Sequence, residues 1–191
     1  MGLSLGLLGR GGTGRAWRYG ILHVVMAGVG GAVVGGLLGW VGLLLGLAQW
    51  RWWIIGVTAL VALGIALTHS SYQLLSQRQV PRRWSPKYHL TTVYTVWGLM
   101  MGCGLYTPVY HTALLVMLAT QLTVGPTVGI ISGFLFGIVR QSTSLWPVAR
   151  HYDMERTMRL LEELRPGARL FNILLVTAVL VLVVYEVAFA R

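Results

Sequence analysis

The first long apolar stretch of the sequence reads YGILHVVMAGVGGAVVGGLLGWVGLLLGLAQW over residues 19–50 and contains no Asp, Glu, Lys or Arg. Further uncharged runs cover residues 52–77, 88–139 and 170–185. Uncharged apolar runs of about 18 residues or more are typical of segments that cross a lipid bilayer as helices. The sequence therefore predicts an all-α integral membrane protein.

The composition supports the same class. Of the 191 residues, 55% are hydrophobic and only 10% are charged, whereas soluble domains carry about 25% charged residues. The formal net charge of +10 could indicate nucleic-acid binding, but the basic residues flank the apolar runs, as the positive-inside rule requires. No RNA- or DNA-binding motif accompanies them. We therefore expect the lipid bilayer, and no nucleic acid, as the partner of these charges.

Charged and turn-forming residues divide the chain into about five transmembrane helices. The N-terminal segment has no small-residue cleavage site before a polar mature domain, so it predicts a cytoplasmic leader rather than a signal peptide. The expected order is a leader over residues 1–18, a hairpin of two spans over 19–69, a basic linker over 70–88, two spans over 89–139, a loop over 140–168, and a fifth span with a C-terminal tail over 169–191.

The loop over residues 140–168 contains an amphipathic pattern. Apolar residues recur at helical spacing up to Leu164, and Glu155 and Arg159 form a favourable i,i+4 pair. We expect a helix on the cytoplasmic membrane surface that ends at Pro166–Gly167. A docking site for a partner protein is the alternative interpretation.

The distribution of Lys and Arg predicts the orientation. With the N-terminus inside, the inner side holds thirteen of the fifteen basic residues, and the outer side holds Arg51 and Arg191. Inner loops carry the excess of Lys and Arg in multi-pass proteins. We therefore expect a multi-pass protein of an inner or plasma membrane, with its N-terminus and both large loops in the cytoplasm and its C-terminus outside.

The third apolar stretch, residues 89–122, is too long for one straight crossing. As a helix it would measure roughly 50 Å, against a hydrocarbon core of about 30 Å. Pro108 removes a helical hydrogen bond, so we expect the third helix to be broken near Thr107–Pro108, with irregular backbone from Leu105 to Tyr110. Two complete crossings would move the following basic loop outside and reduce the charge asymmetry. The stretch is therefore expected to cross once in net terms, as a long helix or as two half-helices in series.

A break of this kind exposes backbone carbonyls at membrane depth, which is tolerated where they line a cavity or contact protein. The residues at the break that could carry a function are Cys103, Thr107, Pro108 and His111. A single His inside a span is more often held by a hydrogen bond in the packing than used as a ligand. Packing is therefore the alternative interpretation of His111.

Two ladders of glycines recur at intervals of four residues. A residue at every fourth position stays on one face of a helix, so each ladder forms a groove where another backbone can approach closely. Tight helix packing is the structural interpretation, and a hinge or substrate path is the functional one. We expect another polypeptide to fill one groove or both, and the alternative is that the two ladders fill each other. The members are Gly31, Gly35 and Gly39 in the first span and Gly125, Gly129, Gly133 and Gly137 in the fourth.

The sequence implies no catalytic residue, metal site or cofactor. Its one cysteine, Cys103, excludes an intrachain disulfide and a Cys-cluster metal site. His23 and His69 lie near the cytoplasmic ends of adjacent spans, but nothing in their spacing holds two imidazoles on opposite sides of a haem. No hydrolytic triad, nucleotide-binding loop or zinc motif is present.

The pattern resembles the CcdA/DsbD family of membrane thiol–disulfide electron carriers. The resemblance implies six spans arranged as two inverted three-helix repeats, with one redox cysteine in the first helix of each repeat. The second repeat of that family opens with a glycine-rich helix broken at a Thr-Pro-Cys or Ser-Pro-Cys motif. The similar residues here are Gly98, Gly102, Gly104, Thr107 and Pro108 for that helix, Gly125-Pro126 and Gly129-Gly133-Gly137 for the helix after it, and the first two spans with the basic linker at 78–87 for the end of the first repeat.

The sequence departs from that family at its redox centre. Val109 follows Thr107-Pro108 where the family places its redox cysteine, and Cys103 lies more than a helical turn earlier. The chain starts where the family's second helix would, so the helix with the other cysteine is expected to be missing. A dithiol carrier needs two thiols within disulfide distance. The resemblance therefore implies an inherited fold whose redox chemistry is lost or is completed by another subunit.

These features favour a non-catalytic accessory or scaffolding subunit of a membrane protein complex, with another membrane protein chain as its partner. A thiol–disulfide electron-transfer component that acts with a partner thiol is the second hypothesis. A small transporter, with the broken third helix as its gate or binding site, is the third. The sequence names no partner, substrate or cofactor.

Overall fold

The computed structural model describes residues 2–68, 89–104, 112–143, 145–150 and 154–189, and the regular structure of these residues is helical throughout, without a strand. The helices are α1 (Gly2–Leu44), α2 (Arg51–Thr68), α3 (Leu90–Gly102), α4 (Ala113–Val124), α5 (Pro126–Ser142), α6 (Leu145–Ala149) and α7 (Met154–Phe189), and a 3₁₀ turn (Leu47–Trp50) joins α1 to α2.

Three helical segments among the described residues are long and apolar enough to cross a membrane: Gly14–Leu44, Leu47–Thr68 and Glu162–Phe189. Helix α4 is apolar but shorter, and α5 has 17 residues. Large apolar side chains are exposed along these helices, including Leu44, Leu60 and Phe189. Such exposure is expected where the surrounding solvent is lipid. The chain is thus a helical protein with the character of a membrane protein, as predicted.

Helices α1 and α5 pack antiparallel through their glycine ladders. A Cβ atom at Gly31 would overlap the carbonyl oxygen of Gly133, and one at Gly35 would overlap the carbonyl oxygen of Gly129. The partner's number falls as the number on α1 rises, which defines the antiparallel direction. The two backbones therefore touch without intervening side chains, the arrangement by which membrane helices gain close van der Waals contact.

Helix α3 lies on another side of α1 and runs parallel to it. A Cβ at Gly98 would lie 2.6 Å from the carbonyl oxygen of His23, and one at Gly102 would overlap that of Ala27. The numbers on both helices rise together. Helix α1 is therefore the common neighbour of α3 and α5, with glycine at the close approaches on each side.

The second helix pair, α2 and α7, packs through small and β-branched side chains. Its core contains Ile55, Ala59 and Ala62 of α2, Val176 and Val183 of α7, and Val116 of α4. Helix α4 also reaches the first group, because its Leu122 backbone meets Gly42 of α1. Helix α4 thus connects the α1–α3–α5 group with the α2–α7 pair.

One predicted helix end is wrong, and the expected leader is helical. Helix α1 begins at Gly2 and runs through the expected leader over residues 1–18 into the first span. Helix α7 continues through Pro166 and Gly167 instead of ending there. Pro166 removes the hydrogen bond that its N–H would have donated to the carbonyl of Glu162, and the helix continues on both sides of it. The residues beyond Gly167 then regain a complete helical ladder, which a membrane segment requires.

The loop predicted over residues 140–168 accordingly contains α6 and the first turns of α7. The predicted i,i+4 pair is confirmed, with 2.7 Å between a guanidinium nitrogen of Arg159 and a carboxylate oxygen of Glu155. Both side chains are exposed, so the pair adds little to the stability of the helix.

Candidate functional site at the interruption between α3 and α4

The third apolar stretch is divided between two helices, since α3 ends at Gly102 and α4 begins at Ala113. Residues 105–111 between them lie outside the described residues. The predicted site residues Thr107, Pro108 and His111, and the irregular backbone expected from Leu105 to Tyr110, therefore fall outside the described part of the chain. The described margins of the interruption are the C-terminal end of α3 and the N-terminal end of α4.

The C-terminal end of α3 is built by Cys103 and Gly104. The N–H of Cys103 donates to the carbonyl of Leu99 at 3.0 Å, and the N–H of Gly104 donates to that of Met101 at 3.2 Å. Gly104 has a φ of 73°, the left-handed conformation that glycine adopts at helix ends. The Cys103 thiol lies 3.6 Å from the carbonyl oxygen of Gly30, to which it donates. The thiol thus contributes to the packing of α3 on α1.

Arg140 of α5 reaches the same helix end. Its Nη1 donates to the carbonyl oxygen of Met101 at 3.4 Å, and its guanidinium lies over the ring of Phe136 at 5.8 Å. The last carbonyls of a helix have no partner within the helix and carry partial negative charge, so a cation stabilises them. From the sequence, Arg140 was counted only among the basic residues of the inner side, and its contact with the end of α3 was not predicted.

Asn172 of α7 occupies the N-terminal end of α4. The backbone N–H of Ala113 donates to Asn172 Oδ1 at 3.0 Å, and Asn172 Nδ2 donates to Thr112 Oγ1 at 3.0 Å. Asn172 is 5% exposed and Thr112 is 2% exposed. The sequence analysis missed Asn172, although the signal was present: it is the one asparagine of the chain and stands in an uncharged apolar run, where polar residues deserve a functional or structural explanation.

A second buried polar contact joins the middle of α1 to the first turns of α3. His23 Nδ1 lies 3.4 Å from the carbonyl oxygen of Tyr94, and because a carbonyl only accepts, that nitrogen carries the proton. The ring of Tyr94 stacks on Tyr19 with 5.3 Å between centroids. His23 is thus engaged in helix packing. His69, the other residue weighed for haem ligation, lies outside the described residues.

The glycine ladders meet one more polar side chain. Gln121 of α4 is 1% exposed, and its Nε2 donates to Ser132 Oγ of α5 at 3.1 Å. A Cβ at Gly35 would lie 3.2 Å from Gln121 Nε2. Helices α1, α4 and α5 therefore meet at Gly35, where glycine leaves room for the amide.

The remaining ladder positions also contact the opposite helix, or the turn before it, within the chain. A Cβ at Gly39 would lie 2.6 Å from the carbonyl carbon of Gly125, and one at Gly137 would overlap the carbonyl oxygen of Ala27. Each groove is filled by the other helix of the same chain. The expectation that a second polypeptide fills the ladders is therefore corrected: their faces are occupied internally, because antiparallel α1 and α5 bring equally spaced glycines into register.

The chemistry that the described side chains offer is limited. Among residues 2–68, 89–104, 112–143, 145–150 and 154–189, no group of three or more His, Cys, Asp and Glu side chains could hold a metal ion. The polar groups that do converge on the interruption are a thiol, a guanidinium and an amide, and each bonds a backbone group. The arrangement holds helix ends in place.

In comparisons with known proteins, no family model, curated protein or solved structure matches the chain.

Proposed function

We propose that the chain is a non-catalytic accessory or scaffolding subunit of a membrane protein complex. The observation that carries this proposal is the use of the polar side chains at the interruption. Cys103 donates to the carbonyl of Gly30, Arg140 donates to that of Met101, and Asn172 accepts from the N–H of Ala113. Side chains committed to backbone groups fix helices in position, which is the task of a scaffold.

Five crossings with the N-terminus in the cytoplasm and the C-terminus outside are part of this proposal. The helix directions support it, since α1 and α3 are parallel and α5 is antiparallel to α1. Helix α3 has Tyr94 beside Tyr19 near the beginning of the first span, whereas α4 ends near Gly42 at the other end of that span. In this arrangement α3 and α4 cross once in series, with the break near Thr107–Pro108.

The partner chain meets this protein away from the glycine ladders, because each ladder already contacts the other. The outward sides of α2 and α7 offer apolar surface for this contact, with exposed side chains such as Leu60, Leu174 and Leu182. Lipid covers whatever part of these sides the partner leaves. The subunit therefore presents an interface made of side chains rather than of backbone grooves.

The resemblance to the CcdA/DsbD family remains part of the proposal as an inherited fold without the dithiol chemistry. A glycine-rich α3 that ends at Gly102-Cys103-Gly104, followed by an α5 that opens with Gly125-Pro126, supports it. Val109, which stands where the family has its redox cysteine, argues against retained activity.

A thiol-redox component that acts with a partner thiol is the second candidate. The position of Cys103 favours it, since the residue ends α3 at the interruption and is only partly buried. The sequence contains one cysteine, so a disulfide would have to join two chains. A transporter is the third candidate, because interrupted helices form substrate sites in many transporters.

Purification from native membranes in a mild detergent separates the three candidates. The wild-type chain and Cys103→Ser are purified in parallel after acid quenching and thiol alkylation. A scaffold retains the same stoichiometric partner in both preparations and yields no mixed disulfide. A mixed disulfide that is lost with its partner in Cys103→Ser supports the redox candidate. A chain without partner that moves solute alone in vesicles supports the transporter.

A further inference from the structure

Two polar side chains lie on the face that α7 turns toward its neighbours. Arg169 and Asn172 are three residues apart, which places them on one side of a helix. The same side continues with Val176 and Val183, which belong to the core shared with α2 and α4. The N-terminal end of this apolar stripe is therefore polar, and its two polar residues, Arg169 and Asn172, each contact the end of another helix.

Asn172 supplies the N-terminal cap of α4. Thr112, which precedes the helix, makes no capping hydrogen bond with its own side chain. The N–H of Ala113 is instead bonded to Asn172 Oδ1 at 3.0 Å. Because a backbone N–H only donates, the amide oxygen must face it, and the amide nitrogen is left to donate to Thr112 Oγ1 at 3.0 Å. The amide orientation is thus fixed by its partners.

Arg169 performs the complementary task at α2. Its Nη2 donates to the carbonyl oxygens of Ala66 and Leu67, at 3.3 Å each. These carbonyls belong to the last turn of α2, which ends at Thr68. A cation at the negative end of one helix dipole and a carbonyl oxygen at the positive end of another are both favourable. One side of α7 therefore satisfies two helix ends of opposite polarity.

We infer that Arg169 and Asn172 form a polar clip by which α7 fixes where α2 ends and where α4 begins. Helix α4 is held differently at its two ends. Its first turn is attached to α7 through the clip and packs through Val116 on the core shared with α2 and α7, whereas its last turn rests on α1 and α5 through the contacts of Leu122 with Gly42 and of Gln121 with Ser132. Opening the clip frees the first turn of α4, beside the interruption, and leaves the last turn in place. The clip is a conformational device, and it does not depend on the proposed scaffold function.

Hydrogen exchange of the full chain in detergent micelles, followed by mass spectrometry, tests the clip. In Asn172→Ala the amides of residues 113–116 should exchange roughly five- to tenfold faster, as expected when a helix cap is lost. The amides of residues 121–124 should keep their rates. Asn172→Asp retains the acceptor oxygen, so its exchange rates at residues 113–116 should stay within about twofold of the wild type. Thr112→Val removes only the bond from Asn172 Nδ2 to Thr112 Oγ1, and its exchange rates should also change by about twofold.

Two further variants complete the test. Ile173→Ala alters the neighbouring position on α7 outside the clip and should leave residues 113–116 unchanged. Arg169→Ala should accelerate exchange at residues 64–68 and spare the last turn of α4. If Asn172→Asp exchanges as fast as Asn172→Ala, or if Ile173→Ala has the same effect as Asn172→Ala, the amide is not a cap and the inference is overturned. Should Asn172→Ala unfold the chain, the other two variants decide: rates within about twofold of the wild type at residues 113–116 in both Asn172→Asp and Thr112→Val support the cap, and roughly tenfold faster exchange in Asn172→Asp overturns it.

Discussion

Two antiparallel helix pairs of this protein, α1–α5 and α2–α7, are built in different ways. The first brings backbone against backbone, with Gly31 opposite Gly133 and Gly35 opposite Gly129. The second keeps Ala and Val side chains between the backbones and adds the polar clip at one end. Gly56, the glycine of α2 that faces α7, is also less confined than the ladder glycines, because a Cβ there would meet only a side-chain methyl of Val183, at 3.1 Å.

This difference in packing predicts how each helix pair responds to added side-chain atoms. Lipid tails are as apolar as the helix surfaces, so membrane helices associate through close packing and polar contacts rather than through the hydrophobic effect. In α1–α5 the closeness depends on the absence of side chains at fixed positions. In α2–α7 the contacts are made by side chains, which can shift slightly to admit added atoms, and hydrogen bonds at helix ends fix the register. The first interface should therefore tolerate added atoms poorly and the second should tolerate them well.

The largest effect is expected from Gly35→Leu. The new side chain would overlap the carbonyl oxygen of Gly129 and displace the amide of Gln121, so we expect a loss of more than about 4 kcal/mol in the free energy of unfolding, the range of severe core defects. Gly64→Leu is the matched control, because nothing lies within 4 Å of a Cβ at Gly64; it should not destabilise the chain and should gain up to about 1 kcal/mol of helix propensity. Denaturant titration in micelles measures both. Equal losses would contradict the assignment of Gly35 to an internal contact.

A smaller change at each interface sharpens the comparison. Gly31→Ala adds one methyl group against the carbonyl oxygen of Gly133 and should destabilise the chain by about 1–3 kcal/mol, as overpacking does. Gly56→Ala adds the same group against Val183, where a shift of the Val183 side chain by a few tenths of an ångström relieves the contact, while alanine gains up to about 1 kcal/mol of helix propensity. The second variant should therefore equal or exceed the wild type in the same titration. A larger loss at Gly56 than at Gly31 would reverse the comparison.

The smallest effect is a gain in α7. Gly167 lies inside the helix with no atom within 4 Å of a Cβ built there. Gly167→Ala should therefore stabilise the chain by up to about 1 kcal/mol, because alanine favours the helix more than glycine does. Circular dichroism during thermal unfolding measures the gain. A loss would indicate that α7 needs the flexibility of Gly167 next to Pro166.

The sequence was most informative where a residue type has one structural use. Glycines at every fourth position indicate a contact face, and their equal spacing on two helices also allowed the alternative that they fill each other. Long uncharged runs indicate membrane helices in the same direct way. The division of residues 89–122 into α3 and α4 was indicated by the excess length of that stretch and by Pro108.

Contacts between distant helices could not be read from the sequence in this way. Asn172 bonds residues about 60 positions away in sequence, and no local period reveals which helix end a lone amide will reach. Arg140 looked like one of many loop charges, since its contact with Met101 depends on how α5 lies beside α3. The continuation of α7 through Pro166 was not predicted, because Pro166–Gly167 is a sequence pattern typical of a helix end.

The central claim is that the glycine ladders of α1 and α5 pack against each other within one chain, and a cysteine cross-link tests it most directly. A Cβ at Gly36 would lie 2.8 Å from Cγ1 of Ile130, where the Sγ of a cysteine at 130 would stand. Gly36→Cys with Ile130→Cys, in a Cys103→Ser background, should form a disulfide of ordinary geometry. Gly64→Cys with Ile130→Cys is the control and should form none within the chain. We expect the double-cysteine variant to run as a reducible, faster-migrating monomer on a non-reducing gel at any protein concentration. A cross-linked dimer without that monomer would contradict the packing of the two ladders within one chain.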